Sequence, residues 1–362
     1  MIHAAKLAAP DASGACIDHL HRIIRTHFDP DLGAPFWLDR QASIGLDMRH
    51  EIQDFSALSI LGNTSPKDLA GRPLIDFIPR RFHADLTGFI LGQTGGTTGN
   101  DLWTAYRPDE FTQAFITPFA VAAAHVRFPR AERWLYIGPS GPHIIGKVVR
   151  DLAASVGSHD PFSVDFDARW AKKLPGGSFA QDRYLAHVID QSMDIIRSQD
   201  IGVLFTTPAV LGPLSDAMTP DQRHRIRGIH YGGMEITAES LADHQTSRFP
   251  GAVHLCGYGN TLFGCCLELD DSPNRTPEYF PFGRRLLIDL VDDRGHPVAP
   301  GESGAVRITR LDQTFLLVNL LERDAATAAP LPPGAPTGFT RPGVRAPHSP
   351  ASLAPKQAKG LY

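Results

Sequence analysis

The residues best suited to chemistry lie in a glycine- and threonine-rich segment, Gln93-Thr94-Gly95-Gly96-Thr97-Thr98-Gly99-Asn100. Glycine permits positive φ and adds no Cβ, so the backbone N–H groups and hydroxyls of such a loop can converge on one anion. Phosphate is the expected ligand of this loop. The Gly-Lys-Ser/Thr ending of a P-loop is missing, so this segment alone also fits an ordinary turn.

Three more glycine-rich segments follow short apolar runs. The run 134–137 precedes Gly138-Pro139-Ser140-Gly141-Pro142-His143. The run 226–231 ends in Tyr231-Gly232-Gly233-Met234-Glu235, and the run 253–255 precedes Gly257-Tyr258-Gly259-Asn260-Thr261. We interpret the runs as strands and the segments as turns. Ligands of open α/β sheets collect where the carboxyl ends of parallel strands meet, so this order predicts a shared binding edge.

The elements that must position these segments indicate an α/β protein with a mainly parallel sheet. Helical spacing covers residues 14–28 and 109–126, and a further helix begins at Ile144. Residues 203–205 add another strand of the same type. Residues 286–293 and 306–309 are β-rich and flank a turn-rich connection, which predicts a hairpin-like sheet.

The domain organisation that follows has four parts. Residues 1–85 form a helical and mixed region of the same domain, 86–270 the nucleotide- and carboxylate-binding core, 271–325 a β-rich subdomain, and 326–362 a proline-rich tail. Proline has no N–H for a ladder, so we expect the tail to contain neither helix nor central strand.

Charge and composition exclude several classes of protein. Thirty-five Lys and Arg oppose 39 Asp and Glu, a net charge of −4, which favours neither nucleic acid nor an anionic membrane as partner. No apolar run is long enough to span a bilayer, and no secretory signal precedes the first helix, so we expect a cytoplasmic protein. Four cysteines are too few for a disulfide framework.

The order of these motifs across residues 90–325, completed by Asp292-Asp293-Arg294-Gly295, Leu317-Val318-Asn319 and Asp324, resembles the adenylate-forming superfamily. That superfamily includes acyl- and aryl-CoA ligases, nonribosomal adenylation domains and luciferases. Within that superfamily, this chain looks closest to phenylacetate-CoA-ligase-like proteins of phenazine-antibiotic (griseoluteic acid type) biosynthesis.

The resemblance implies the superfamily's large N-terminal domain and a reaction in which ATP and an aromatic or other carboxylic acid give an adenylate and pyrophosphate. It implies that His143, Thr97 and Thr261 act in catalysis, His143 near the substrate carboxylate. It further implies a thiol, carrier-protein or reductase acceptor and, by analogy with relatives, a homodimer. The residues it assigns to ATP or AMP are Thr94, Gly95, Gly96, Thr97, Thr98, Gly99, Gly232, Gly233, Met234, Tyr258, Gly259, Asn260, Thr261 and Asp324.

Three departures from the superfamily pattern bear on activity. Asn100 and Asp101 follow the loop where many relatives have lysine, and Leu262 replaces the glutamate that helps to hold Mg²⁺. Glu235 is our candidate replacement ligand. About 38 residues follow Asp324, so we also expect the superfamily's usual small C-terminal domain, with its lysine, to be missing. Each lost electrostatic group typically costs about a hundred- to a thousandfold in rate.

The sequence therefore predicts an adenylate-forming ligase and leaves two alternatives open. One is a non-catalytic protein that binds a nucleotide or an aryl carboxylate. The other is a partner of a reductase, similar to acyl-protein synthetases, in which a cysteine accepts the acyl group. The apolar neighbours of Cys256, Cys265 and Cys266 favour buried, unreactive thiols instead.

Overall fold

The structure, a computed structural model, describes residues 14–94, 101–299 and 301–349. Its strands within these ranges are β1 Ile90–Gln93, β2 Trp103–Tyr106, β3 Arg133–Gly138, β4 Phe162–Asp165, β5 Ile201–Thr206, β6 Gly228–Tyr231, β7 Val253–Asn260, β8 Gly264–Leu267, β9 Glu278–Tyr279, β10 Leu286–Val291, β11 Ser303–Leu311, β12 Leu316–Ala329 and β13 Gly343–His348.

The α-helices of the same ranges are α1 Gly14–His27, α2 Pro35–Ile44, α3 Met48–Glu51, α4 Pro66–Ala70, α5 Pro108–Phe111, α6 Thr117–His125, α7 Ile144–Ser155, α8 Ala168–Lys173, α9 Phe179–Ser198, α10 Pro208–Ala217, α11 Pro220–Arg225 and α12 Ala238–Asp243. Short 3-10 helices cover Ser56–Leu61, Leu74–Phe77 and Arg80–Phe82, and π-helical turns cover Thr112–Ile116 and His244–Arg248. None of the helices in the described ranges has the length and apolar character needed to cross a membrane.

The central sheet has the order β4-β3-β5-β6-β7-β8, in which every pair is parallel except β7 with β8. Leu135 and Ile137 pack on one face with residues of α8, α9 and α10. Trp134 and Tyr136 pack on the other face with α6 and α7. A sheet covered on both faces needs continuous apolar strands, which is why short apolar runs mark it in the sequence. The predicted α/β class is confirmed.

The strands predicted at 134–137, 203–205 and 253–255 lie within β3, β5 and β7, and the strand predicted at 226–231 contains β6 and begins two residues too early. The prediction that Gly257 to Asn260 form a turn is wrong, because these residues are the second half of β7 and pair with β8 from Gly257↔Leu267 to Asn260↔Gly264. A Cβ at Gly259 would overlap the Gly264 carbonyl. This glycine therefore permits close approach of two strands, not a reversal of the chain.

A second, antiparallel sheet has the order β10-β11-β12-β13-β9. The hairpin predicted for residues 286–293 and 306–309 is confirmed by the pairing of β10 with β11. The prediction that the proline-rich segment contains no central strand is wrong, because β13 pairs with β12 on one side and β9 on the other. Pro347 lies where the β12–β13 register shifts, between the paired residues Arg345 and His348. The missing proline N–H interrupts no regular ladder there.

Residues 14–82 form mainly helices that cover the antiparallel sheet. Leu20, Trp37 and Phe77 join Leu316 and Val318 of β12 in one buried cluster. The indole N–H of Trp37 also donates to the Leu316 carbonyl over 3.3 Å. The packing positions β12, whose later residues border the site described below.

Three charged side chains are buried together where the two large sheets meet. Arg285 donates two hydrogen bonds to the Asp312 carboxylate at 2.9 and 2.6 Å, and Arg310 Nε donates to the same carboxylate at 2.6 Å. Burial alone would raise the pKa of Asp312, but the two guanidinium groups outweigh it and lower that pKa. The remaining Arg310 donors bond to Thr104 Oγ1 and to the carbonyls of Ala105 and Leu262.

Replacing Asp312 with alanine should lower the free energy of unfolding by about 3–5 kcal/mol, because it leaves two guanidinium groups buried without a counter-charge. Urea unfolding followed by circular dichroism measures this change. Asp200→Ala is the matched control, since Asp200 pairs with Arg133 at the surface with 74% of its side chain exposed, and it should cost less than about 1 kcal/mol. Equal losses in both variants would contradict the assigned role of Asp312.

Candidate functional site

A cleft of about 1760 Å³ lies between the carboxyl ends of β5, β6 and β7 and the edge formed by Leu320 to Asp324 of β12. Thr94 and Asp101, the residues on either side of the glycine-rich loop, lie on its wall. The predicted phosphate-loop residues Gly95, Gly96, Thr97, Thr98 and Gly99 lie outside the described residues. The structure therefore places the two ends of that loop at the cleft.

The hairpin of β1 and β2 positions both ends of the loop. Thr94 N donates to the Leu102 carbonyl over 2.9 Å, and Leu102 N donates to Thr94 Oγ1 over 3.0 Å. Gln93 Nε2 donates to Asp101 Oδ2 over 3.1 Å, and Gln93 N donates to the Pro142 carbonyl over 2.9 Å. These bonds tie the loop to the turn after β3.

Thr261 joins the loop to the end of β7. Its hydroxyl donates to the Gln93 carbonyl over 3.3 Å, and its own carbonyl accepts from Tyr106 OH over 2.9 Å. Only 9% of Thr261 is exposed, yet it lines the cleft. The loop base and the Tyr258 to Thr261 segment, far apart in the sequence, are therefore in direct contact.

Tyr258 and Asp324 form a pair on the β7 and β12 sides of the cleft. Tyr258 OH donates to Asp324 Oδ2 over 3.2 Å, and Ser349 Oγ donates to Asp324 Oδ1 over 3.0 Å. The Tyr258 ring lies against Tyr279, with 5.8 Å between ring centroids. An aromatic face beside a carboxylate is the pair of surfaces that a purine ring and a ribose diol require.

A second carboxylate, Glu322, lies on the same strand two residues before Asp324. Asn260 Nδ2 donates to Glu322 Oε1 over 2.8 Å, and Asn260 Oδ1 accepts from Leu262 N. Burial raises the pKa of Glu322 to about 7. The hydrogen bond from Asn260 lowers this pKa, and the negative charge of Asp324 raises it. Glu322 therefore changes its charge near neutral pH within the cleft.

The segment after β6 forms a further wall of the cleft. Gly232, Gly233, Met234 and Glu235 all line it. A Cβ at Gly232 would lie 3.0 Å from both Ile145 Cδ1 and Phe205 Cε2, and Gly233 has a φ of +82°. Side chains larger than hydrogen are disfavoured at both positions, which leaves the backbone facing the cleft.

His143 is not brought into the cleft wall, although the next residue, Ile144, is. His143 precedes α7 and is 5% exposed. Burial lowers the pKa of its imidazole, and the positive charges of Arg169 and Lys172 lower it further. The catalytic role predicted for His143 stays a prediction.

One part of the cleft wall, which we call the apolar branch, is apolar and aromatic. Phe115, Phe119 and Phe205 line it together with Val148 and His230. His230 contacts Phe119 and Phe205 at ring-centroid distances of 4.9 and 4.5 Å. Burial lowers the pKa of His230 to about 4, so its imidazole is neutral at pH 7. The branch therefore suits an uncharged, largely apolar group.

The cysteines beside this branch are poor nucleophiles. All four cysteines lie in the described part of the chain, and none forms a disulfide bond. Burial raises the pKa of Cys265 to about 12 and raises those of Cys256 and Cys266 well above their ordinary value. Because of these raised pKa values, the three cysteines form little reactive thiolate at neutral pH.

Comparison with known proteins identifies the architecture. No family model and no curated protein matches the sequence. Two solved structures of 2-hydroxyisobutyryl-CoA ligase, each in complex with 2-HIB-AMP and CoA, match at TM-scores of 0.62 and 0.63 with 13% and 12% identity. The alignments cover 92% and 91% of this chain. The chain has the adenylate-forming fold. It spans 66% and 72% of the length of those two ligase chains.

The adenylate-forming fold raises the question of Mg²⁺, which the sequence resemblance implies. Leu262, at the position expected to carry a glutamate ligand, is 4% exposed and belongs to an apolar cluster. Glu235 is exposed, and the described ranges contain no group of three His, Cys, Asp or Glu side chains placed to hold a metal ion. One carboxylate is too small a donor set for a resident metal, but it fits an ion held mainly by water and phosphate.

Sequence reasoning missed several residues of the cleft. Glu322 had a usable signal, because residues two apart on a strand share a face and Asp324 was already a candidate. Ser349 and Lys172 had none, since each reaches the cleft through tertiary packing of elements distant from the motifs. The apolar branch is likewise assembled from separate helices and strands.

Glu322→Gln should remove a pH dependence of stability. A carboxyl whose pKa is raised in the folded state stabilises the fold below its unfolded value near 4.5, and this contribution is lost as pH rises through about 7. The wild-type protein should therefore lose about 2–3 kcal/mol relative to Glu322→Gln between pH 4.5 and 8. Urea unfolding at several pH values measures the difference.

The control for this comparison is Glu235→Gln, which removes an exposed carboxylate of the same cleft and should leave the pH dependence as in the wild type. Parallel stability curves for wild type and Glu322→Gln would show that Glu322 ionises normally.

Proposed function

We propose that the protein binds ATP and an aromatic carboxylic acid and converts the acid into its adenylate with release of pyrophosphate. The observation that carries this proposal is the convergence of Thr94, Thr261, Tyr258 and Asp324 on one cleft. The glycine-rich loop then holds the phosphates, Tyr258 packs on the adenine and Asp324 accepts hydrogen bonds from the ribose hydroxyls. The adenylates and CoA bound to the ligase of the same fold support this assignment.

The chemistry requires little from ionisable side chains. A carboxylate oxygen attacks the α-phosphorus, the bond from that phosphorus to the bridging oxygen breaks, and pyrophosphate leaves. Catalysis then depends on positioning and on donors that stabilise the developing charge. Mg²⁺ enters as the counter-ion of ATP, with Glu235 as our candidate protein ligand.

The aromatic acid is supported by the branch lined by Phe115, Phe119 and Phe205. A thiol such as CoA or a carrier protein is the proposed acceptor, because the buried cysteines of the chain do not suit acyl transfer. A reductase partner, a homodimer, a cytoplasmic location and a place in phenazine-antibiotic biosynthesis stay predictions of the sequence.

The alternative is a protein that binds a nucleotide or an aryl carboxylate without turnover. Leu262, buried at the position where a glutamate ligand was expected, favours it. Both functions use the same cleft, so binding alone does not separate them. Release of pyrophosphate does.

Aromatic acids should release pyrophosphate from ATP with higher kcat/KM than short aliphatic or dicarboxylic acids, because the apolar branch penalises charge and gains from buried ring surface. A coupled pyrophosphate assay over a panel of acids measures this. Binding of acid and nucleotide without sustained release for any acid would establish the alternative.

Asp324→Ala should weaken AMP binding about ten- to a hundredfold, because the ribose hydroxyls lose a charged acceptor and Tyr258 loses its partner. Isothermal titration calorimetry measures the dissociation constant. Asp18→Ala, at an exposed position on α1, is the matched control and should bind AMP as the wild type does. Unchanged affinity in Asp324→Ala would contradict the ribose assignment.

A further inference from the structure

The His230 imidazole lies in the wall of the apolar branch, packed against two phenyl rings. Its ring centroid is 4.9 Å from that of Phe119 and 4.5 Å from that of Phe205. Only 4% of the residue is exposed. Of the five side chains named above for the branch, that of His230 alone contains polar atoms. The two ring contacts restrict the orientation in which the imidazole presents them.

One ring nitrogen of His230 bonds to the neighbouring strand. Nδ1 lies 2.9 Å from the carbonyl oxygen of Leu255 on β7. A carbonyl oxygen only accepts hydrogen bonds, so Nδ1 carries a proton and donates this bond. Because burial lowers the pKa of the imidazole to about 4, the ring holds no second proton at neutral pH. Nε2 therefore presents a lone pair and acts as a hydrogen-bond acceptor.

The acceptor Nε2 belongs to an uncovered edge of the ring. Within the described part of the chain it has no hydrogen-bond partner, and it is not one of the fully enclosed polar atoms. Cε1, the carbon between the two nitrogens, lies beside Gly257, which also lines the cleft. A Cβ at Gly257 would lie 3.6 Å from His230 Cε1 and 2.9 Å from Cys265 Sγ. The glycine therefore adds no side chain over this edge.

An acceptor in an apolar wall discriminates between ligands. A ring that places only carbon against Nε2 takes the acceptor out of water without replacing its hydrogen bond, which costs free energy. A ring with a neutral O–H or N–H at this point donates to Nε2 and avoids that cost. A charged substituent is disfavoured, because the phenyl rings of the branch offer no counter-charge. The branch therefore favours a neutral donor on an otherwise apolar ring.

We propose that His230 determines specificity and that the acid is an aromatic carboxylic acid with a hydroxyl or amino group on its ring, which donates a hydrogen bond to His230 Nε2. The inference rests on the proposed function, which places the ring of the acid in the apolar branch. The two kinds of substituent share the chemistry that His230 recognises, and the test separates them.

The test compares ring substituents of similar size that differ in their ability to donate. The full chain is titrated calorimetrically with hydroxy-, amino- and methyl-substituted benzoic, phenylacetic and cinnamic acids. A hydroxy or amino acid should bind about ten- to a hundredfold more tightly than the methyl acid substituted at the same ring position. His230→Phe keeps a ring and removes the acceptor, so this ratio should fall to about one through weaker binding of the donor acid. His125→Phe, exposed at the end of α6 and off the cleft wall, should keep the wild-type ratio.

The outcomes separate this inference from the function on which it rests. Equal affinities of the wild type for donor and methyl acids, or a preference that persists in His230→Phe, would overturn the role of His230 and leave the proposed function standing. A His230-dependent preference without pyrophosphate release would contradict adenylation alone. If the wild type binds none of these acids, both fall.

Thermal melting checks that His230→Phe folds. If it does not, ¹⁵N NMR of the histidine-labelled wild type decides. The resonance of an unprotonated Nε2 should move when the preferred acid is added and stay in place with its methyl analogue. The absence of such a difference would overturn the inference.

Discussion

The buried pairing of Asp312 with Arg285 and Arg310 is the interaction on which the rest of the structure depends. Beyond the carboxylate, Arg310 bonds to the Leu262 carbonyl over 2.8 Å and Arg285 to the Phe263 carbonyl over 2.6 Å. These carbonyls follow Thr261 directly in the chain. Other Arg310 donors reach Thr104 and Ala105 of β2. A single carboxylate thus orients the guanidinium groups that fix both the end of β7 and the hairpin of the glycine-rich loop. Because removing a charge from such a cluster is costly, the geometry of the cleft is coupled to global stability.

The cleft divides into regions of different polarity. The Tyr258 and Asp324 pair lies between β7 and β12, the apolar branch lies among α6, α7 and the central sheet, and the basic side chains come from α8 and β12. In the proposed function, the Tyr258 and Asp324 pair binds the nucleoside of ATP and the apolar branch binds the acid. Because β12 carries both Asp324 and Arg323, two of these regions share a strand.

The sequence predicted the central sheet well because strands buried on both faces must be apolar throughout, and β3 and β5 show this directly. The same reasoning failed for Gly257 and Gly259, since glycine marks a close approach of strands as well as a turn. It failed for β13 because proline at a register shift costs no regular hydrogen bond. At the site, motif order predicted Thr94, Thr261, Tyr258 and Asp324, and the two-residue spacing from Asp324 could also have predicted Glu322. Lys172 could not be predicted in this way, because it belongs to α8, away from the motifs.

The position of β13 between β9 and β12 also bears on how the chain reaches its final state. Arg345 of β13 pairs with Glu278 of β9 across 67 residues of sequence, a non-local contact of the kind that slows folding. Until Gly343–His348 docks, one side of β12 has no partner strand. An unpaired strand edge is a template for pairing with another chain. A nascent polypeptide that does not yet include residue 348 therefore exposes the unpaired edge of β12 to other chains. Protection by chaperones during synthesis would matter most in that interval.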